Sequence, residues 1–209
     1  MISRSLLSLL FMMFAMINVA FAQNEDAMNK PNSIKNPIVK IQTSLGDIEV
    51  ELYPNKAPQT VKNFLDYVHS EHYSNTLFHR VISNFMIQGG GFTTGFKQKP
   101  VNAPIKNEAD NGLKNNRGTI SMARTSDPDS ATAQFFINLA DNPFLDFRSK
   151  TPSGWGYVVF GNVISGMDVV DKIAKVRVGS FDGHGDVPVE EIFIKSVTEV
   201  SPNATPEKK

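Results

Sequence analysis

The chain has no cysteine, a single tryptophan (Trp155) and no net charge, with 21 acidic and 21 basic residues among 209. Without thiols it has no disulfide framework, thiolate nucleophile, lipoprotein anchor cysteine or cysteine-ligated metal. Without net charge it offers no broad field for nucleic acid or anionic membrane, so partners must be met by a local site. Reaction motifs are missing too. No serine sits in a Gly-x-Ser-x-Gly elbow, and carboxylates are scattered rather than paired. Gly89, Gly90, Gly91 and Gly95 miss the dinucleotide fingerprint, since position 94 is threonine, and they lack the Gly-Lys-Ser/Thr of a P-loop. His69 and His72 have no third zinc ligand nearby and read as solvated helix-end residues. Asp182, His184 and Asp186 lack the acidic residue that closes a calcium loop and read as a turn. Covalent, metal-dependent and glycosidase mechanisms therefore lose support, and no cofactor or metal is expected.

What is present is a globular composition, 41% hydrophobic and 20% charged, enough for one domain with short appendages. Arg4 precedes an uncharged run from Ser5 to Ala22 that closes Ala20-Phe21-Ala22, the pattern of a secretory signal peptide cleaved before Gln23. An uncleaved membrane anchor competes, but Ser5, Ser8 and Asn18 shorten the apolar part to Leu6–Ile17. Loss of residues 1–22 removes one basic residue, Arg4, and leaves 20 Lys+Arg against 21 Asp+Glu. Residues 23–36 read as a flexible linker, 37–200 as the folded domain and 201–209 as a disordered tail. Asn203-Ala204-Thr205 in that tail matches a glycosylation acceptor, a pattern short enough to occur by chance.

Strands dominate the domain. Ile38–Ile41 and Ile48–Leu52 alternate around Thr43-Ser44-Leu45-Gly46 and predict a half-buried hairpin. Further strands are predicted over 77–82, 85–89, 119–123, 134–138, 157–163 and 189–200, separated by Gly, Asn, Asp and Pro clusters. Two segments have helical spacing instead: Val61, Phe64, Leu65 and Val68 behind Pro58, and Met167, Val170, Ile173 and Ala174. About eight short strands with two helices predict a closed antiparallel β-barrel capped by the helices, because closure removes exposed edges. The long piece 92–118 exceeds ordinary connection lengths and reads as a functional or structured surface loop.

One stretch, Phe78-His79-Arg80-Val81-Ile82-Ser83-Asn84-Phe85-Met86-Ile87-Gln88-Gly89-Gly90, places an arginine among apolar neighbours. An edge-strand arginine snorkelling to water is one reading, and a cation held at an apolar pocket is the other. Taken singly, Phe136, Phe144 and Leu145 are ordinary core residues. Taken together, "FHRVISNFMIQGG", "ISMAR", "QFFI" and "FGNVISGMDVVDKI", in this order between Pro37 and Val200, closely resemble the cyclophilin family of peptidyl-prolyl cis-trans isomerases. "IKNEADNGL", "SATAQFFINLADNPFLD" and "GYVVFG" are most similar to exported bacterial members. The resemblance implies that Arg80 matches the catalytic arginine and that Phe85, Met86 and Gln88 line its site. It implies that Ala123 and Arg124 lie in the segment whose backbone grips the substrate, with Gln134, Phe136 and Leu145 as further pocket residues. This chain departs from many eukaryotic members with Phe144 in place of tryptophan, Tyr157 in place of histidine and Arg124 where asparagine is frequent. The pocket stays aromatic, but cyclosporin should bind weakly without an indole N–H donor.

The chemistry can also be argued directly. An Xaa-Pro bond turns slowly because amide resonance sets a barrier of about 18–20 kcal/mol. Twisting leaves a lone pair on the prolyl nitrogen, so catalysis needs an apolar cup for the ring and a donor aimed at that nitrogen. Phe85, Met86, Phe136 and Leu145 can form the cup, Arg80 can donate as the twist develops, and Gln88 can orient the guanidinium or the substrate carbonyl. Arg80 and Gln88 must then share a face of the sheet. A two-residue loop at Ser83-Asn84 would separate them; a three-residue loop, Ser83-Asn84-Phe85, pairs Arg80 with Gln88 and is therefore expected. The expected protein is a monomeric periplasmic isomerase acting on Xaa-Pro bonds of unfolded or flexible exported chains. A module that only holds proline peptides and an open small-ligand barrel are the rival readings.

Overall fold

The computed structural model describes residues 36–200. The segment 1–22 expected to be a signal peptide, all but the last residue of the expected linker over 23–36, and the expected tail over 201–209 with its Asn203 motif lie outside the described residues. In chain order the strands are β1 (Ile38–Thr43), β2 (Gly46–Leu52), β3 (Thr76–Ile82), β4 (Met86–Gly89), β5 (Phe92–Thr93), β6 (Lys97–Gln98), β7 (Thr119–Met122), β8 (Phe135–Asn138), β9 (Val159–Ser165), β10 (Val178–Phe181), β11 (His184–Pro188) and β12 (Phe193–Val200). Helix α1 spans Pro58–His69 and α2 spans Met167–Ile173.

Eight strands close into a barrel in the order β1-β12-β3-β4-β8-β7-β9-β2, with every neighbouring pair antiparallel. The barrel and both helices agree with the sequence reading. The β1–β2 hairpin turns tightly because Thr43 Oγ1 donates to the Gly46 carbonyl at 2.6 Å and accepts from the Leu45 N–H at 3.0 Å. Gly46 sits at φ 136°, and a Cβ there would lie 2.7 Å from Val169 of α2. A larger residue there would be strained at this φ and would have to displace the Val169 side chain. Strand alternation sends Val39, Ile41, Ile48, Val50, Ile87, Ile120 and Ile137 inward, all fully buried. These side chains fill the enclosed space, so the barrel is a packed core and not the open lumen of a small-ligand carrier.

Helix α1 buries Val61, Phe64 and Val68 against this core, and its first turn is capped from the long loop. Glu108 accepts from the N–H groups of Gln59 (3.1 Å) and Thr60 (2.8 Å) and from the Thr60 hydroxyl (2.7 Å), placing a negative charge at the positive helix end. The loop is thus a structured surface element. It also contains the small β5–β6 ladder, a 3₁₀ turn at Ala109–Asn111 and a bridge between Ile105 and Ala131.

Three expectations change. Residues 178–188, read as a turn around Asp182 to Asp186, form the β10–β11 hairpin: Val178 pairs with Pro188 and Phe181 with His184. The last barrel strand begins at Phe193, not Val189. His72 is not solvated; it is buried against the Tyr67 ring at 4.6 Å with Nε2 3.3 Å from the Gly90 carbonyl, whereas His69 pairs with Glu199 at 3.0 Å.

Candidate active site

The Ser83-Asn84-Phe85 connection is the expected three-residue loop. Asn84 adopts φ 60°, and the pairs that follow are Ile82 with Met86, Val81 with Ile87 and Arg80 with Gln88. Asparagine tolerates this left-handed conformation better than most residues, which suits it to the corner. One further device was not read from sequence. Phe78 pairs with Gly89 and Arg80 with Gln88, so His79 is an extra residue, a β-bulge. The bulge lets Phe78 remain inside while Arg80 emerges on the outer face two residues later.

That outer face carries a second apolar cluster, separate from the core: Met86, Phe136 and Leu145 are buried, with Ile82, Phe85, Ala123 and Tyr157 packed against them. A cavity of about 180 Å³ opens over it. Phe85, Met86, Phe136 and Leu145 supply apolar lining, Arg80 and Gln88 the polar side, and Ala123, Arg124 and Tyr157 complete it. Two expected members stand outside. Gln134 lies beyond the cavity, where its Oε1 accepts from Gln88 Nε2 at 2.8 Å and fixes the amide. Phe144 is 62% exposed, with its ring centroid 5.5 Å from that of Phe85. Trp155 packs on Phe147, also outside the lining.

Arg80 is less enclosed than the sequence suggested. Its side chain is 45% exposed, and Nε lies 3.6 Å from Asp186 Oδ2 on β11. The guanidinium therefore stands at the edge of the apolar cup, open to solvent. Two of the three departing positions, Arg124 and Tyr157, are physically linked. Arg124 Cζ lies 4.6 Å from the Tyr157 ring centroid, and its Nε donates to the Gly156 carbonyl at 2.9 Å. Tyr157 in turn meets Phe136 edge-on at 5.7 Å. The Ala123 N–H is already committed to the Gln134 carbonyl at 2.9 Å.

Beneath the cavity runs a buried polar network that the sequence did not reveal. Asn115 donates through Nδ2 to the carbonyls of Leu145 and Tyr157, both at 3.2 Å, and accepts from the Ser121 hydroxyl at 2.8 Å. Asn142 donates to the Phe85 carbonyl at 3.0 Å and to Asn138 Oδ1 at 2.8 Å. The backbones carrying Phe85, Leu145 and Tyr157 are thereby tied to one another from below. Only an abundance of asparagine around the cavity segments hinted at this.

His79 is buried edge-on against the rings of Phe92 (4.8 Å) and Phe96 (6.3 Å), and its Nδ1 has no hydrogen-bond partner among the described residues. Burial pushes its pKa down to about 4, so the ring beside Arg80 is neutral at ordinary pH.

Residues 38–199 match the family described as cyclophilin type peptidyl-prolyl cis-trans isomerase/CLD. The chain is 61% identical over 158 residues to peptidyl-prolyl cis-trans isomerase cyp18 of Streptomyces antibioticus, covering 76% of this chain and 95% of that one. It is 59% identical over 161 residues to peptidyl-prolyl cis-trans isomerase B of Escherichia coli K12, covering 77% and 98%. Among solved structures, a cyclophilin type isomerase of Cryptosporidium parvum, crystallised in the presence of the dipeptide Ala-Pro, superposes with a TM-score of 0.64 at 31% identity. That match covers 78% of this chain and 99% of the other. With the barrel, the outer-face cavity and these relatives in agreement, the chain belongs to the cyclophilin-type peptidyl-prolyl cis-trans isomerases.

Proposed function

We propose that the Arg80 cavity is where the isomerisation takes place and that its residues act as follows. The proline ring enters the cup of Phe85, Met86, Phe136 and Leu145, where each buried methylene contributes about 0.8 kcal/mol. Arg80 donates to the prolyl nitrogen as it pyramidalises, a bond available only in the twisted state and therefore stabilising the transition state over the planar amide. Gln88, held by Gln134, orients the substrate carbonyl. Arg124 and Tyr157 form the far wall. No bond to carbon is made or broken, so no nucleophile takes part.

The observation that carries this reading is the pairing of Arg80 with Gln88 on the face that bears the apolar cup. The decisive measurement is isomerisation of a proline tetrapeptide by wild type and Arg80→Ala. The variant should lose roughly 100- to 1000-fold in kcat/KM, the usual cost of removing one transition-state donor. Equal rates would overturn the role given to Arg80.

We further propose that the clients are unfolded or flexible exported chains and that the mature enzyme is a periplasmic monomer. The charged start, apolar run and Ala-x-Ala close of residues 1–22 support export. Cell fractionation with N-terminal sequencing should recover a chain that begins at Gln23 in the periplasmic fraction. Cyclosporin should bind weakly, since Phe144 offers no donor, and Phe144→Trp should tighten it.

A further inference from the structure

Beyond Arg80 the surface continues into a region that the isomerisation does not use. A second cleft, about 230 Å³, shares Arg80 and Gln88 with the proline cavity and is walled by His79, Phe92, Gln134 and His184. Rings carry the surface onward: Phe92 lies 5.3 Å from Phe96, and Phe96 lies 5.2 Å from both Phe181 and His184. They end at a third cavity, about 280 Å³, between Phe96 and the β10–β11 hairpin, where Phe181, Val187, Pro188 and Val189 provide an apolar lining.

This hairpin is unusual in what it shows to water. Of seven exposed large hydrophobic side chains among the described residues, Val178, Phe181 and Val189 fall together here, each between 41% and 51% exposed. Single exposed apolar residues need no explanation, whereas a cluster beside a cavity marks a binding surface. Phe96 adds a second sign, because it is held at φ 56°, a left-handed conformation that bulky residues rarely adopt.

We infer that this aromatic face binds an apolar segment of the same client chain whose proline occupies the Arg80 cavity. The inference rests on the isomerase reading of that cavity. Continuity argues for the occupant: the proline cavity and the second cleft share two residues, and ring contacts join the cleft to the hairpin without a break. Chemistry argues for it as well. A non-native chain displays apolar side chains on either side of its prolines, whereas a folded partner has buried them. The face thus favours clients that are not yet folded and gives the enzyme selectivity beyond the Xaa-Pro bond.

The test uses the full mature chain, a proline tetrapeptide, and two longer peptides with the same proline core extended at both ends by Phe/Val/Leu or by Ser. Wild type should turn over the apolar peptide roughly five- to tenfold more efficiently than the serine peptide, mainly through KM, as expected for partial burial of one apolar side chain. Phe181→Ser/Val189→Ser should erase that preference and leave tetrapeptide turnover unchanged, which also shows that the variant folds. Backbone amide shifts supply a readout independent of turnover: the apolar peptide should perturb 178–189 and the tetrapeptide should not. Failure of tetrapeptide turnover would strike the isomerase reading, while shifts at 178–189 would still report the second surface. A preference that survives in the variant, or no shifts at 178–189, overturns the inference. So does a wild-type dimer, seen by sedimentation and dissolved by Val189→Ser, with no effect of peptide.

Discussion

Strands β3, β4, β7 and β8 carry two apolar clusters, one on each face, and the two have opposite fates. Inward, Val81, Ile87, Ile120 and Ile137 are closed over by the rest of the barrel and are at most 2% exposed. Outward, Met86 and Phe136 are nearly as buried, yet their cover is Ile82, Phe85, Ala123, the 3₁₀ turn at Pro143–Leu145 and Tyr157, and a cavity remains. Period-2 alternation supplies both clusters from one stretch of chain. Closure decides which becomes a core and which is left with an open cavity.

Adjacent residues on opposite faces give the sharpest way to break this comparison. Ile87→Ala should cost about 2–5 kcal/mol of stability by urea unfolding and leave tetrapeptide kcat/KM per folded molecule unchanged. Met86→Ala should show the reverse, a smaller stability loss and a clear rise in KM, because a truncation beside an existing opening leaves little new enclosed void. Equal stability losses without an effect on KM would dissolve the distinction between the faces.

His79 sits on the bulge where the chain passes from one face to the other. Its folded-state pKa of about 4 lies below the unfolded value near 6.5, so the unfolded chain takes up its proton first as pH falls. Its contribution is complete above about pH 6.5 and is lost as pH drops towards about 4, on the order of 3 kcal/mol in all. Urea unfolding at several pH values should show that slope in wild type and a flatter one in His79→Gln.

The outer cluster depends on its polar scaffold, which Asn115→Ala should reveal. Loss of the donor to the Leu145 and Tyr157 carbonyls should cost about 1–3 kcal/mol. It should also slow tetrapeptide turnover, whereas a purely structural role would leave the rate of the folded fraction intact. The smallest effect belongs to Asp186→Asn. The ion pair with Arg80 is nearly half exposed and contributes little to stability, so Tm should stay put while KM changes by less than about fivefold.

Much of the fold was legible because it rests on local pattern. The β1–β2 hairpin follows from alternation around Gly46, and α1 from the spacing of Val61, Phe64 and Val68 behind Pro58. The loop at Ser83–Phe85 was derived from a chemical demand, that Arg80 and Gln88 share a face, and the register satisfies it. What escaped has no local signature. The bulge at His79 lies in a run that looks like regular strand. The β10–β11 hairpin contains too many Gly and Asp residues to display alternation. Asn115 lies 30 to 42 positions from Leu145, Asp146 and Tyr157, so no window along the chain could pair it with them. His72 looked like a helix-end residue, but the chain after α1 folds back beneath Lys99 and the Gly90 carbonyl. Phe144 was assigned to the pocket by position, while the 3₁₀ turn that buries Leu145 directs its neighbour to water.

Because the proposed working surface lies outside a closed barrel, a bond in the middle of a long chain can reach it while both ends remain tethered elsewhere. Nothing has to be threaded and nothing has to open. A polypeptide anchored at both ends, or already folded on either side of one late proline, is as accessible to this geometry as a short free peptide.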